Sequence, residues 1–400
     1  MGVVRVVLVV AQSNTITEPA VLQVTNAYYP ELKFGGPPLK IHLFNRGLQA
    51  RGFSISVITF HSEKHFAKAS TEFDRIPVQY LPWIGRGLRQ WPLRLDLLST
   101  AVRQADIIHC YGLYNLLCPI VAWYARKFRK PYLIEPLGMF APRGRNIFLK
   151  KQYHRCFTSW MALHASRIVA SSESEKQDLE SLAADTAVVV RRNGIDLAAF
   201  ESLPDRERFR SKYNIGASTR IILYLGRISP IKNLQELIRA FDMARLSNSV
   251  LLLAGPTLEP SYTSKIRALI ASLKLQGAVQ LIGPLYDEDK LAAFAATDLF
   301  VLPSLSESFG NAAAEAVAAS VPVLLTETCG IAPMIHRRAG LAVPLGQASL
   351  AKGLHIMTGP DRVQYLQEQK QVARELAWDE PVHQTAQLYT SILTECSAVQ

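Results

Sequence analysis

No stretch of the sequence is both long and apolar enough to cross a bilayer as a helix, which takes roughly 18 to 20 residues. The nearest approach, Leu113 to Ala125, is interrupted by Asn115 and Pro119, so no integral membrane helix is expected. The opening run Met1 to Ala11 is β-branched, holds Arg5 and has no charged region ahead of it. That argues against a secretory signal and for an extra strand or flexible extension over residues 1–20. Cysteine is scarce and scattered: Cys110, Cys118, Cys156, Cys329 and Cys396 form no C-x-x-C pair, and no His stands at zinc-ligand spacing from two of them. A disulfide framework and a zinc site are thereby excluded, and reduced thiols in the cytoplasm are expected. Neither G-x-G-x-x-G nor a Walker Gly-Lys-Ser/Thr occurs, which counts against a dinucleotide dehydrogenase and a P-loop NTPase.

Acidic residues are sparse in one half only. Residues 1–200 carry 25 Lys and Arg against 14 Asp and Glu, whereas residues 201–400 carry 19 of each, so the whole net charge of +11 lies in the first half. A basic half beside a neutral one points to two domains, one with an anionic partner such as a phospholipid surface, a polyanion or a nucleic acid. A basic surface that serves only solubility is the plainer alternative.

What is present is 400 residues, 49% of them hydrophobic, enough for two cores. Short β-rich runs alternate with helical patterns. In the first half the strand candidates are Val21–Thr25, Ser54–Thr59, Val78–Leu81, Asp106–His109, Tyr132–Glu135, Arg167–Ser171 and Ala187–Val190, with helices such as Leu39–Arg51 and Lys150–Ala165 between them. The pattern lapses into a polar stretch between Asp196 and Ser218. It restarts with Ile221–Leu225, Val250–Ala254, Val279–Ile282, Leu299–Leu302, Val321–Leu325 and Leu341–Pro344. This is the grammar of two tandem, doubly wound α/β domains, residues 21–200 and 201–380. The closing segment, helical from Pro381 to Leu393, has no following strand, so residues 381–400 are expected to pack back on the first domain.

Such sheets bind ligands beyond the carboxyl ends of their strands. Three loops there are candidates. Gly35-Gly36 precedes a helix and permits close backbone approach to phosphate, although a Gly-Gly turn is also simply a turn. Gly226-Arg227 and Lys232 follow strand Ile221–Leu225, and the two cations could reach one diphosphate or be merely solvated. After Leu299–Leu302 the chain reads Ser306-Glu307-Ser308-Phe309-Gly310-Asn311, and an alanine-rich helix starting at Asn311 carries Glu315. One carboxylate can meet a sugar and the other a ribose, with the helix start aimed at phosphate; dipole compensation is the bland account of both. Asp287-Glu288-Asp289 matches a metal-binding D-x-D literally but sits where a helix start wants acid for its dipole, so no metal site is assigned.

Gly-Arg-x4-Lys, then Glu-x7-Glu in a Ser-Glu-Ser-Phe-Gly context, then a small-residue helix and Val321-Pro322-Val323, resembles family 4 of the retaining nucleotide-sugar glycosyltransferases. The resemblance runs from about residue 21 to 396 and takes in Gly35-Gly36, Asp106 to His109, Glu135 to Met139 and Asn193 to Asp196. It implies the two-domain GT-B fold and transfer of a sugar with retained anomeric configuration. It implies that Arg227 and Lys232 neutralise the donor diphosphate and the departing nucleotide, that Glu307 contacts the donor sugar and Glu315 the ribose. Gly283, Pro284 and Leu285 would meet the base, Gly36 would offer its N–H to phosphate, and Gly35, Gly226, Phe309, Gly310 and Asn311 would complete the donor side. The acceptor side would hold His109, Tyr111, Asn115 and Met139. Relatives often carry a second His where this chain has Tyr111.

The leading expectation is thus a retaining glycosyltransferase that uses a nucleotide-diphosphate-sugar and a glycan or lipid-linked acceptor in polysaccharide or glycoconjugate synthesis. It needs no cofactor or metal, and is cytoplasmic and peripheral on an anionic membrane. A nucleotide-sugar epimerase of the same fold is the enzymatic alternative. A non-catalytic nucleic-acid binder is the other class, and no recognised nucleic-acid motif accompanies the basic charge, so no nucleic-acid partner is expected.

Overall fold

A computed structural model describes residues 18–31, 37–60, 70–85, 90–140, 147–181 and 186–399. Gly35, Gly36, Arg143, Arg145 and all but the last three residues of the expected extension lie outside them.

Among the described residues ten strands precede residue 191. They are β1 (Ala20–Val24), β2 (Ser54–Phe60), β3 (Ser70–Phe73), β4 (Ile76–Leu81), β5 (Trp83–Ile84), β6 (Trp91–Pro92), β7 (Ile107–Tyr111), β8 (Tyr132–Glu135), β9 (Arg167–Ala170) and β10 (Val188–Val190). Eight form one sheet in the order β10-β9-β8-β7-β1-β2-β4-β3. Its pairings are parallel except for the edge strand β3, which returns antiparallel on β4. Six more strands, β11 (Arg220–Leu225), β12 (Ser249–Ala254), β13 (Val279–Gly283), β14 (Leu299–Leu302), β15 (Val323–Thr326) and β16 (Gly340–Val343), form a second, wholly parallel sheet ordered β13-β12-β11-β14-β15-β16.

The central strands read as unbroken apolar runs because helices cover both faces. β14 is Leu-Phe-Val-Leu and every residue in it is buried. β4 was expected as Val78–Leu81, but its antiparallel partner β3 and the hairpin β5–β6 were not; their strands of two to four residues alternate too briefly to register as a period.

The second sheet has one core. The first has two, one on each face. The second of these draws in Val382, Tyr389 and Ile392 of the closing helix, Asp379–Val399, which lies against the helix Pro37–Gln49. The chain therefore leaves the first sheet through residues 191–195, builds the second, and returns. Ile195 N–H donates to the Leu376 carbonyl at 2.7 Å, so the outgoing and returning segments are tied where they cross.

In each sheet the strand order reverses next to the strand formed first. β11 lies between β12 and β14, and β1 lies between β2 and β7. Loops leaving two such neighbours diverge to opposite faces and open a crevice at their carboxyl ends. The Gly226–Lys232 loop follows β11 and the Pro303–Gly310 loop follows β14, so the order of strands alone brings them side by side.

Candidate active site

The loop after β11 passes Arg227, makes a short 3-10 turn at Pro230–Lys232 and enters the helix Leu234–Ala244 through Asn233 in left-handed backbone. Buried Tyr224 supports it from below, its hydroxyl donating to the Arg227 carbonyl at 2.8 Å. The loop after β14 is joined to it by the Leu305 N–H, which donates to the Ile231 carbonyl at 2.9 Å. On its other side it is laced to the segment after β15: Gly330 N–H donates to the Glu307 carbonyl at 2.9 Å and Ile331 N–H to the Phe309 carbonyl at 2.8 Å.

This lacing sets the Lys232 ammonium directly on the Glu307 carboxylate. Both side chains are mostly but not fully covered, at 16% and 20% exposure, so the pair lines the crevice rather than the core. Gly310 caps the helix Asn311–Ala318 at φ +117°, a conformation that strains any L side chain, and a Cβ there would press on Ile331 Cγ2 at 3.0 Å. The helix start follows directly on the loop that carries Glu307, the place where a helix's first N–H groups can serve a ligand. Asn311 is tied across to the first domain: Asn193 Nδ2 donates to Asn311 Oδ1 at 2.8 Å.

Glu315, one turn further, engages Lys290 at 3.0 Å, a partner that nothing in the sequence indicated because it comes from another helix. Gly283 ends β13 at φ +79°, Pro284 is exposed and Leu285 is buried. Phe309 is also buried, so its ring packs the core beneath the loop. At the Asp287–Asp289 helix start, Glu288 meets Arg208 and Asp289 meets Lys212, each at 2.8 Å, so two of the three carboxylates face the helix Arg206–Lys212. Among the described residues no group of three or more His, Cys, Asp or Glu is arranged to hold a metal ion.

The four residues expected on the acceptor side separate. His109 is wholly buried: its ring stacks on Tyr111 at 4.2 Å between centroids, and its Nδ1 meets the Tyr389 hydroxyl of the closing helix at 2.7 Å. Burial lowers its pKa to about 3, so it stays neutral. Beside it, Glu135 is held by Lys40 at 2.8 Å and by Arg191. Burial alone would raise the Glu135 carboxyl, but Arg191 and Lys40 outweigh it and hold the pKa at about 2. Burial also depresses Lys40, to about 8. Tyr111 and Asn115 are buried as well, Asn115 Oδ1 accepting from Cys118 N–H at the start of the helix Leu117–Lys127. Met139 alone of the four is exposed, at 37%. His109 and Tyr111 thus belong to the inner face of the first sheet, at its junction with the closing helix, and solvent does not reach them. Period-two alternation could not reveal this, because helices cover both faces of the strand.

The two domains approach closely. At Gly138, with φ +75°, a Cβ would fall 2.7 Å from Ser308 Oγ, and at Gly330 one would fall 2.6 Å from Ser172 Cβ. Each glycine therefore lets one domain's loop touch the other's.

Two Rossmann-like α/β domains, with loops at the carboxyl ends of both sheets meeting across a cleft, define the GT-B architecture. Solved structures share it: Anabaena Alr3699/HepE in complex with UDP and glucose aligns with a TM-score of 0.75 over 93% of this chain and all of that one, at 19% identity. The catalytic domain of Arabidopsis thaliana Starch Synthase IV, bound to ADP and acarbose, gives 0.76 over 95% of this chain and all of that one, at 14% identity. The family model described as Glycosyltransferase Family 4 matches residues 35–199, and that described as Glycosyl transferases group 1 matches residues 205–369. The chain belongs to this group 1, family 4 glycosyltransferase family. A D-inositol 3-phosphate glycosyltransferase from Kineococcus radiotolerans is 32% identical over 177 residues, 42% of this chain and 41% of that protein. A GDP-mannose:cellobiosyl-diphosphopolyprenol alpha-mannosyltransferase from Xanthomonas oryzae is 28% identical over 285 residues, 70% of this chain and 69% of that protein.

Proposed function

We propose that the protein is a retaining glycosyltransferase that moves a sugar from a nucleotide-diphosphate-sugar to a hydroxyl of a glycan or lipid-linked acceptor in polysaccharide or glycoconjugate synthesis. The observation that carries this reading is the Lys232–Glu307 pair at the strand-order reversal, with Arg227 on the same loop and the Asn311 helix start beside it. As the bond from sugar to diphosphate breaks, negative charge grows on the leaving oxygen. Arg227, Lys232 and the helix N–H groups stabilise that charge where it develops. Glu307 then serves two ends, holding Lys232 and accepting from sugar hydroxyls. The acceptor hydroxyl attacks on the face the nucleotide leaves, passing its proton to the departing phosphate oxygen, so no strong protein base is required. With two side-chain cations already facing the diphosphate, a divalent metal is unnecessary. Neighbours solved with UDP or ADP support a nucleotide-linked donor, and the Xanthomonas relative, named for transfer to a diphosphopolyprenol-linked sugar, supports a lipid-linked acceptor.

The acceptor in this reading is met at an anionic membrane on the cytoplasmic side. Between Ile107 and Ser172 stand ten Lys and Arg and a single acidic residue, Glu135, which is buried. Trp123 is half exposed with Lys127 over its ring at 5.1 Å, and Leu163 is exposed beside His164, which Arg126 contacts. Cations with an interfacial tryptophan are what an acidic bilayer surface attracts. Among the described residues no helix is long and apolar enough to cross a membrane.

A thermal-shift screen of nucleotide sugars tests the reading, since a ligand that binds only the folded state raises Tm by mass action. The donor found should then give a product with the donor's anomeric configuration by NMR. Donor turnover to a 2-epimer without acceptor would replace the transferase reading with the epimerase one.

A further inference from the structure

The first domain meets the second at Ser308, at Asn311 and at Gly330. All three border Glu307. Ser308 follows it directly, Asn311 opens the helix that ends its loop, and Gly330 N–H donates to the Glu307 carbonyl at 2.9 Å. On the facing side stand two loops that leave the neighbouring parallel strands β8 and β9. The loop after β8 brings Gly138 against the Ser308 side chain, and the loop after β9 brings Ser172 against Gly330. A Cβ on Gly330 would collide with the Ser308 carbonyl on one side and lie 2.6 Å from Ser172 Cβ on the other. The segment Glu307-Ser308 is thus seated on the first domain through backbone that has no room to spare.

One buried carboxylate joins the two seating loops. Glu175 lies in the first turn of the helix Glu173–Glu180 and is 6% exposed. Its Oε1 accepts from Gly138 N–H at 2.7 Å, while its Oε2 accepts from Ser171 N–H at 2.8 Å and from the Ser171 hydroxyl at 2.5 Å. Ser172 caps the same helix, its Oγ accepting from Glu175 N–H at 3.1 Å. In an ordinary capping box a glutamate at this position turns back to the N–H of the cap residue. Here one oxygen goes to the residue before the cap and the other leaves the helix altogether. Capping accounts for Oε2 and not for Oε1. The turn that Oε1 reaches needs support, because Leu137 and Gly138 both stand in left-handed backbone, at φ +56° and +75°. A leucine is disfavoured there and persists only where its surroundings hold it. Lys40 and Arg191 anchor that turn at Glu135, and Glu175 anchors it at Gly138.

We infer that Glu175 is a positioning residue for sugar transfer: by tying Gly138 to Ser171 and Ser172 it fixes the seat on which the Glu307-Ser308 segment rests, and so places Glu307 when the domains meet. This rests on the transferase reading, in which Glu307 holds Lys232 and the donor sugar. Glu175 touches no substrate and acts through Gly138 and Ser172. Arg227, Lys232, Glu315 and the Asn311 helix start all belong to the second domain, so the nucleotide is gripped whether or not the seat is firm. What a slack seat loses is the placement of Glu307 against the sugar, and a misplacement of about 1 Å can cost up to about a hundredfold in rate.

Steady-state transfer with the donor from the thermal-shift screen, beside calorimetry of UDP or GDP, whichever raises Tm, tests this. Glu175→Gln keeps the shape but turns an amide NH2 toward one of the N–H donors. It should lower kcat by about tenfold and leave the nucleoside diphosphate Kd within about twofold. Glu175→Asp keeps a carboxylate at the helix start, where it still serves as a cap, but is one methylene too short to span to Gly138. Its kcat should fall as far, with Tm little changed, and it carries the test should the glutamine variant fail to fold. Ser308→Gly removes the side chain against which Gly138 rests. Combined with either Glu175 variant it should lower kcat by clearly less than the product of the two single effects, because both changes loosen one seat. Near-native kcat in Glu175→Asp, effects that simply multiply, or nucleotide affinity lost in step with kcat would each overturn the inference and leave the transferase reading standing. Wild type that transfers no sugar from any donor would overturn both together.

Discussion

Lys232 and Glu307 are 75 residues apart in sequence and form a direct ion pair at the mouth of the second sheet. Each neutralises the other before substrate arrives. In the proposed reading, a diphosphate that recruits Lys232 shares it with Glu307 and frees carboxylate lone pairs for sugar hydroxyls, so donor binding and sugar positioning would be coupled through one contact.

Arg227→Ala or Lys232→Ala should therefore lower turnover at least tenfold, about 1.4 kcal/mol of barrier, with Tm little changed. Glu307→Gln should damage turnover in the same way, while Glu315→Gln, which only releases Lys290, should raise the donor KM more than it lowers kcat. Steady-state kinetics with the donor from the thermal-shift screen decides. Near-native turnover in both the Arg227 and Lys232 variants would refute the diphosphate assignment.

Transfer should persist in excess chelator. Loss of activity that magnesium or manganese restores, and that Asp287→Ala removes, would contradict this.

Gly138→Ala forces a Cβ onto left-handed backbone, which costs about 1 to 2 kcal/mol, and drives it to 2.7 Å from Ser308 Oγ on the other domain. Lower Tm and reduced turnover should appear together. A second change, Ser308→Gly, should recover part of the turnover by removing the clash but not the backbone strain, and a double-mutant cycle measures the split.

Acid should destabilise the protein through the buried cluster at β7 and β8. His109 ordinarily titrates at 6.5 but at about 3 in the fold, so the unfolded chain takes up its proton first and stability falls as pH drops from 6.5 toward 3. Glu135 ordinarily titrates at 4.5 but at about 2 here, so its contribution, present above 4.5, is lost as pH falls from 4.5 toward 2. Both signs agree. Urea unfolding between pH 7 and pH 4.5 should show declining stability in wild type and a flatter profile in His109→Gln, which keeps a partner for Tyr389 without a titrating ring.

Sedimentation with liposomes should increase with anionic lipid, weaken in high salt, and fall when Lys127, Lys130 and Lys151 become Glu. Trp123→Ser should reduce it further at high salt, where charge is screened and apolar contact remains. No binding to strongly anionic vesicles at low salt would end the membrane reading and leave sugar transfer untouched.

Strand positions were legible in the residues because buried parallel strands are dense in Val, Ile and Leu and separated by helix-length segments. Leu299–Leu302 and Tyr132–Glu135 carry the same limits in sequence and structure. The helix beginning at Asn311 was marked by Gly310 and the alanines that follow. Arg227, Lys232 and Glu307 stood out as candidates because their types and spacing fall on loops at the carboxyl ends of strands, and the structure sets Lys232 on Glu307 there. Contacts made across the chain were not. That Lys232 rests on Glu307 and that Lys290 reaches Glu315 depend on strand order and on how distant elements pack. His109 illustrates the limit most directly. The family resemblance placed it on the acceptor side, open to a ligand, yet Tyr389, 280 residues later, closes over it. Local periodicity determines which residues form elements; only the packing of distant elements determines which polar side chains remain in water, because burial and pairing are properties of the surroundings and not of the residue.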